Sequence, residues 1–430
     1  MTAALRPLRL PGFPNLGLAY FVNEFGNWLG EIALAILVFD QTGSPMATAA
    51  LFFGMHFTPA ILGPPIVARL EAAPARLVLP SLYAAEAAAF ALLALLAADF
   101  SLIAILALAT FDGSIASAAR ALTRASAAAV LAPAGQLREG NALLNIAFTA
   151  GAAGGPAIAG VVVAGAGVQA ALLADAASFL AVAVLLGVAR RLPNPDVDPD
   201  EAQDDWRRRL RVGREYVRSR PALGRLLAAQ ALAFVFFALV IPIEVVFAKE
   251  TLDAGDAGYG ALLASWGVGM VAGSLAFTAL GKVGLRSLLV YSTAAIGVAY
   301  LATAVSPTLA LACAASVVGG LGNGVQWIAL VTAVQELTRA AYQARVLSLL
   351  EALASAMPGL GFLLGGAIAS IFEPRLSYAV AGAGVVFILV GAIAFLRNVD
   401  WTPALDQGQS PEDANSVAGG DSTRPVLTGS

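Results

Sequence analysis

Hydrophobicity in this chain arrives in packets: about a dozen apolar runs of roughly 20 residues, parted by short turns. As a helix, ~20 residues at 1.5 Å rise cover the ~30 Å hydrocarbon core of a bilayer. The pattern predicts an all-α polytopic membrane protein. A content of 59% hydrophobic and 12% charged residues and a mean hydropathy of +0.80 lie outside the range of soluble domains. The lone cysteine, Cys313, lies inside an apolar run, so no disulfide framework or thiolate metal site is expected.

Twelve spans are predicted, over residues 16–39, 46–68, 77–97, 102–124, 141–165, 168–189, 223–247, 259–280, 287–305, 309–334, 346–371 and 376–396. An even number puts both termini on one side. The first span, with Glu24 and Glu31, is too long and too acidic for a cleaved signal peptide and reads as a retained helix. With the termini in the cytoplasm, only Lys249 and Arg375 of the 25 basic residues fall outside. Translocation leaves positive loops inside, so the helix count and this orientation support each other. The expected location is the plasma membrane of a bacterium.

The long connection between spans six and seven divides the chain into an N-terminal six-helix bundle (1–190), a cytoplasmic middle loop (191–221), a C-terminal six-helix bundle (222–400) and a polar tail (401–430) expected to be disordered. The loop opens acidic and proline-rich and turns basic from Trp206 to Arg220. Its second part can form a helix with Trp206, Leu210, Gly213 and Val217 on one stripe, suited to anionic headgroups. The halves echo each other: Gly155 to Gly160 in span five and Gly361 to Gly366 in span eleven lie 206 residues apart, and Leu143-Leu144 aligns with Leu349-Leu350 in the same register. Repeated halves are a common architecture of transporters that rock one bundle against the other.

Two six-helix halves, a long middle loop and a glycine-proline helix five resemble the major facilitator superfamily over nearly the whole chain. Gly151 to Gly160, the stretch LLADAASF (172–179) and the stretch VGREYVRSRPALGRLL (212–227) look most like its bacterial drug and siderophore exporter branch, which includes enterobactin exporters and macrolide efflux proteins. In span five, Gly151, Gly154, Gly155 and Gly160 allow a neighbouring helix to approach and Pro156 bends the rod. The resemblance associates such a Gly-Pro motif with exchange and export, although Ala159 replaces one glycine of the usual pair, and packing alone is the competing reading. It also implies a cytoplasmic gate between spans two and three. That loop is reduced to Arg69, Glu71 and Arg76, with alanines at 72 and 73 where an Asp-Arg pair would stand.

Ionisable groups inside spans cost several kcal/mol, about 2.5–3.5 on insertion scales, unless they face a cavity or partner, so each is a candidate site. Glu24, Asn27 and Glu31 fall on one stripe of span one at ~100° per residue. The resemblance places helices one, four, seven and ten around the cavity, which makes Glu24 and Asp112 the expected proton or substrate carboxyls. A helix-packing carboxyl is the alternative. His56 is expected to bond a backbone carbonyl or, less favoured, to relay protons. Arg120 and Arg124 are expected to snorkel to the inner surface. Gln230, Asn323, Gln326 and Trp327 are expected to offer neutral and aromatic contacts to a bulky solute. Asp175 is assigned to helix packing, and Glu86, Glu244, Glu336 and Glu351 to pairing.

No phosphate-cradling loop and no metal-ligand spacing occur, so neither ATP hydrolysis nor any enzymatic function or cofactor is expected. The expected function is proton-coupled efflux of an amphipathic organic solute by a monomer in the lipid bilayer, with no nucleic-acid partner. Uptake of a metabolite or lipid, or a receptor or scaffold role, is the alternative.

Overall fold

The computed structural model describes residues 3–70, 73–189, 192, 211, 214–280 and 283–396. Among the described residues, twelve helices are long and apolar enough to cross a membrane. The first six are α1 Phe13–Thr42, α2 Pro45–Gly63, α3 Ala75–Leu96, α4 Leu102–Leu131, α5 Glu139–Ala166 and α6 Val168–Gly187. The second six are α7 Pro221–Thr251, α8 Gly255–Phe277, α9 Leu285–Val305, α10 Leu309–Glu336, α11 Arg345–Ile371 and α12 Pro374–Ile393. Each expected span is found. The largest extension is in α4, which runs on past Arg124 to Leu131. The tail, Glu71 and most of the middle connection, including Trp206, Leu210 and Gly213, lie outside the described residues.

Local chemistry sets the turns. At the end of α1, Gly43 takes a left-handed φ of 57° and donates its N–H to Phe39 O at 2.7 Å, a conformation that costs a residue with a Cβ. Ser44 then caps α2, accepting the Ala47 N–H at 3.2 Å, with Pro45 in the first turn where no amide partner is lost.

Two helices depart from regularity. In α2 a π turn spans Phe53–Phe57 and carries His56. In α7 the regular helix ends at Ala238; a 3-10 turn follows at Ile241–Ile243, then a short helical turn Glu244–Val246 and a π turn Phe247–Thr251. Pro242 supplies no N–H to the ladder, which is the physical reason for this break. Both irregular segments carry ionisable groups.

Lipid offers little hydrophobic drive between helices, so close packing of small residues decides which helices meet. A methyl group at Gly151 would stand 3.1 Å from Glu24 Cβ, and one at Gly155 would stand 2.7 Å from Trp28 Cβ, so this face of α5 lies on α1. Gly160, on the other side, would place its methyl 2.9 Å from Gly260 Cα in α8. The second half repeats the arrangement. Gly361 abuts Val235 of α7, and Gly366 abuts Ala49 of α2. The sequence echo is thus a spatial one: helices five and eleven each use one glycine on the first helix of their own half and another on the opposite half.

Aromatic side chains fill the rest. Phe90 and Phe179 stack at 5.5 Å between α3 and α6, and Trp266 stacks on Tyr300 at 5.4 Å between α8 and α9. The broad contacts between the two sets of six are α5 with α8 and α2 with α11. They run from mid-helix to the end that bears the α1–α2 turn. There Lys249 of α7 bonds Asp40 at the end of α1 (2.5 Å) and Asp256 of α8 (2.6 Å). This end is closed.

Candidate functional site

The α1 stripe is real as a helix face, but its members meet different partners. Glu24 is buried. The Tyr20 hydroxyl, one turn away, hydrogen-bonds its carboxylate, and Oε1 has no partner. Arg124 Nη2 donates to the same Tyr20 oxygen at 2.6 Å, with the guanidinium 5.2 Å from the ring centroid. Arg120 is close enough for its charge to act on Glu24 as well. Arg124 is exposed and Arg120 half-buried, but α4 crosses α1 so that both heads lie near Tyr20 and Glu24 in addition. Asn27 donates to Asn23 Oδ1 at 2.8 Å within the same helix. Gly151 of the Gly-Pro helix backs Glu24 directly.

A second acidic group is buried inside the first half. Glu86, Asp112 and Asp175 come from α3, α4 and α6, and Asp112 and Asp175 both act on Glu86 by charge. Neither oxygen of Glu86 has a hydrogen-bond partner, nor do Asp112 Oδ1 and Asp175 Oδ2. The expected pairing of Glu86 is absent. Asp175 behaves as the packing residue expected of it: it sits against Gly26 and Gly30 of α1, where any side chain would collide with its carboxyl. Ser178 Oγ donates to Asp175 Oδ1 at 3.2 Å. Arg120 acts on Glu86 by charge, but no hydrogen bond from a cation reaches the cluster among the described residues, and a buried carboxylate that lacks a bonded partner costs several kcal/mol, of order 3–5.

The third cluster joins the halves. His56 Nε2 lies 3.5 Å from Glu31 Oε2, not on a backbone carbonyl, and its ring stacks on Phe52 and meets Phe362 at a tilt of 51°, each at 5.9 Å. Glu31 also acts by charge on Glu244, whose Oε2 has no hydrogen-bond partner. The pairing expected of Glu244 is thus also missing.

Gln230 and Gln326 both line a largely apolar groove among α7, α9, α10 and α12, where Gln326 donates to Thr293 at 2.8 Å. Trp327, 38% exposed, lies 6.4 Å from Phe234 on a different face of α10, and Asn323 is half-buried. These four are not gathered around Glu24. Of the reduced gate, Arg69 and Arg76 are exposed, and Glu71 lies outside the described residues. Among the described residues no group of three or more His, Cys, Asp or Glu side chains is placed to hold a metal ion.

Tyr20, Asn23 and the roles of Arg124 and Glu244 were not read from sequence. Tyr20 and Glu24 stand at i and i+4, a spacing that could have exposed the pair.

No curated protein matches the chain in sequence. Solved structures share its fold at low identity. A mutant of the nucleoside transporter NupG superposes with a TM-score of 0.74 at 13% identity, covering 89% of this chain and 99% of its own. A bacterial homologue of the human lysosomal transporter Spinster, inward-facing and occupied, gives 0.70 at 14% identity over 91% and 98%. A bacterial homologue of the iron transporter ferroportin, inward-facing, gives 0.67 at 14% identity over 89% and 98%. Residues 2–417 match the family model MFS_3, described as transmembrane secretion effector. The chain belongs to this family of major facilitator superfamily membrane transporters.

Proposed function

We propose that the protein exports an amphipathic organic solute, of the drug, siderophore or secondary-metabolite kind, in exchange for protons. The observation that carries this reading is the Glu24 arrangement: a buried carboxyl with one free oxygen, held by Tyr20 within reach of two arginines on α4 and backed by the Gly-Pro helix. A solute that displaces Arg124 from Tyr20, or a proton that neutralises Glu24, changes the same local charge balance. That is the requirement for exchange at a shared site. Asp112, behind it, is the second candidate carboxyl.

Export is supported by the family's description as a secretion effector and by the Gly-Pro helix, whose Gly160 lies on the opposite half while Gly151 touches Glu24. On this reading the termini are cytoplasmic, the closed end is external, and the protein works as a monomer in a bacterial plasma membrane, with the two bundles (1–190 and 222–400) as the moving bodies and the middle loop and tail inside. Uptake of a metabolite or lipid is the second reading. A receptor or scaffold role rests on the missing Asp-Arg pair in the reduced gate loop. Reconstituted vesicles loaded with macrolides, siderophores or cationic dyes discriminate among the three. Protein-dependent solute movement against its gradient, driven by an imposed proton gradient, is expected in the export direction. Movement only in the opposite direction selects uptake, and no movement of any solute by folded protein selects the scaffold.

A further inference from the structure

We propose that Glu31, His56 and Glu244 form a proton-binding site shared between the two halves, filled when the closed end is shut and reached from the open side through His56. The inference deepens the proton-coupled reading above and concerns residues distinct from Glu24.

The geometry supplies each part. Glu31 sits on α1 and His56 on the π turn of α2, both in the first half. Glu244 sits on the short helical turn of α7, which packs on α1. Closing the halves therefore brings two carboxyls from opposite bodies together. Exposure falls in steps, from 42% for the His56 side chain and 20% for that of Glu31 to 9% for Glu244. The three groups thus step from the exposed side of α2 into the contact between the halves.

The groups facing Glu244 do not neutralise it. Tyr259 of α8, Tyr300 of α9 and Tyr378 of α12 lie within range of its charge, and Tyr378 has no hydrogen-bond partner for its hydroxyl. Tyr300 spends its proton on Phe237 O at 3.2 Å. Lys249, nearer the membrane surface, is occupied by Asp40 and Asp256. Two carboxylates close enough to act on each other by charge, one of them buried and the other carrying a single imidazole, repel unless a proton joins them. Shutting this end takes up a proton and opening it releases one, so the pair links proton binding to the movement of the halves.

Spin labels at Ser101→Cys and Pro307→Cys, both exposed at the closed end on opposite halves, measure the movement in a Cys313→Ala background. Without solute or gradient, the shut fraction is expected to grow as pH falls, the shut-to-open ratio changing by up to about tenfold per pH unit for one proton taken up. Glu244→Gln should flatten that dependence, with Glu31→Gln as the second variant should the first not fold. Lys249→Met should shift the ratio but leave its pH dependence intact. A flat wild-type profile, or an undiminished dependence in both glutamine variants, overturns the proposal. Because no solute is present, a wrong substrate or direction leaves this result standing. Proton-driven export with a flat profile would sink this site alone.

Discussion

The contact that shuts one end of the molecule is backbone against backbone, and that makes Gly160→Ala an informative perturbation. A Cβ at position 160 would lie 2.9 Å from Gly260 Cα and 3.0 Å from Asp256 O. Neither atom can swing away as a side-chain tip would, so α5 and α8 must separate. Overpacking of this kind costs about 1–3 kcal/mol, which lowers the ratio of shut to open by about 5- to 150-fold. Alanine also favours the helix over glycine by about 1 kcal/mol, but that gain is common to both conformations and cancels in their ratio. Two controls isolate the effect. At Gly155 a methyl would meet the Trp28 side chain at 2.7 Å within the first half, so Gly155→Ala should lower stability without moving the ratio. At Gly165 nothing lies within 4 Å, and Gly165→Ala should do neither. Distances between spin labels on the two halves read the ratio, and thermal unfolding in detergent reads stability. An unchanged distance distribution in Gly160→Ala, with the protein folded, would refute the claim that the α5–α8 crossing sets this closure.

Two further outcomes follow from individual contacts. Lys249→Met breaks the ionic tie from α7 to α1; because Asp40 is 42% exposed, screening limits the tie to about 1 kcal/mol or less, so the open fraction should rise by at most about fivefold in spin-label distances, and less in high salt. Glu86→Met removes a fully buried carboxyl whose oxygens have no hydrogen-bond partners, and should raise resistance to thermal unfolding by about 1–3 kcal/mol; a loss of stability would reveal a partner that the geometry does not show.

The helices were legible because bilayer thickness acts on sequence so directly: a run such as 376–396 has no other use. Helix five was legible too, since glycine has only packing and backbone reasons to recur beside a membrane proline, and Gly155 and Gly160 met both. What the sequence did not disclose is which helix faces meet. His56 was expected on a backbone carbonyl and instead faces Glu31, because a π turn rotates that part of α2, and a π turn leaves no compositional mark here. Arg124 was assigned to the inner surface and its side chain is exposed, but α4 continues to Leu131 and crosses α1 so that the guanidinium meets Tyr20, which the sequence did not disclose. The seat of Asp175 was written in span one as Gly26 and Gly30, four residues apart, but pairing that notch with a residue 145 positions later needs the fold. The break in α7 was marked by Pro242; its consequence, a glutamate delivered to the contact between halves, was not.

The central claim is that a buried carboxyl on α1 exchanges a proton for the solute. Its most direct test is proton release from inside-out vesicles under an imposed proton gradient, on addition of a transported compound, comparing wild type with Glu24→Gln combined with Asp112→Asn. The account predicts compound-dependent release from the wild type and none above background from the double variant, with membrane insertion and the distance between halves unchanged. Full release from the double variant would contradict it.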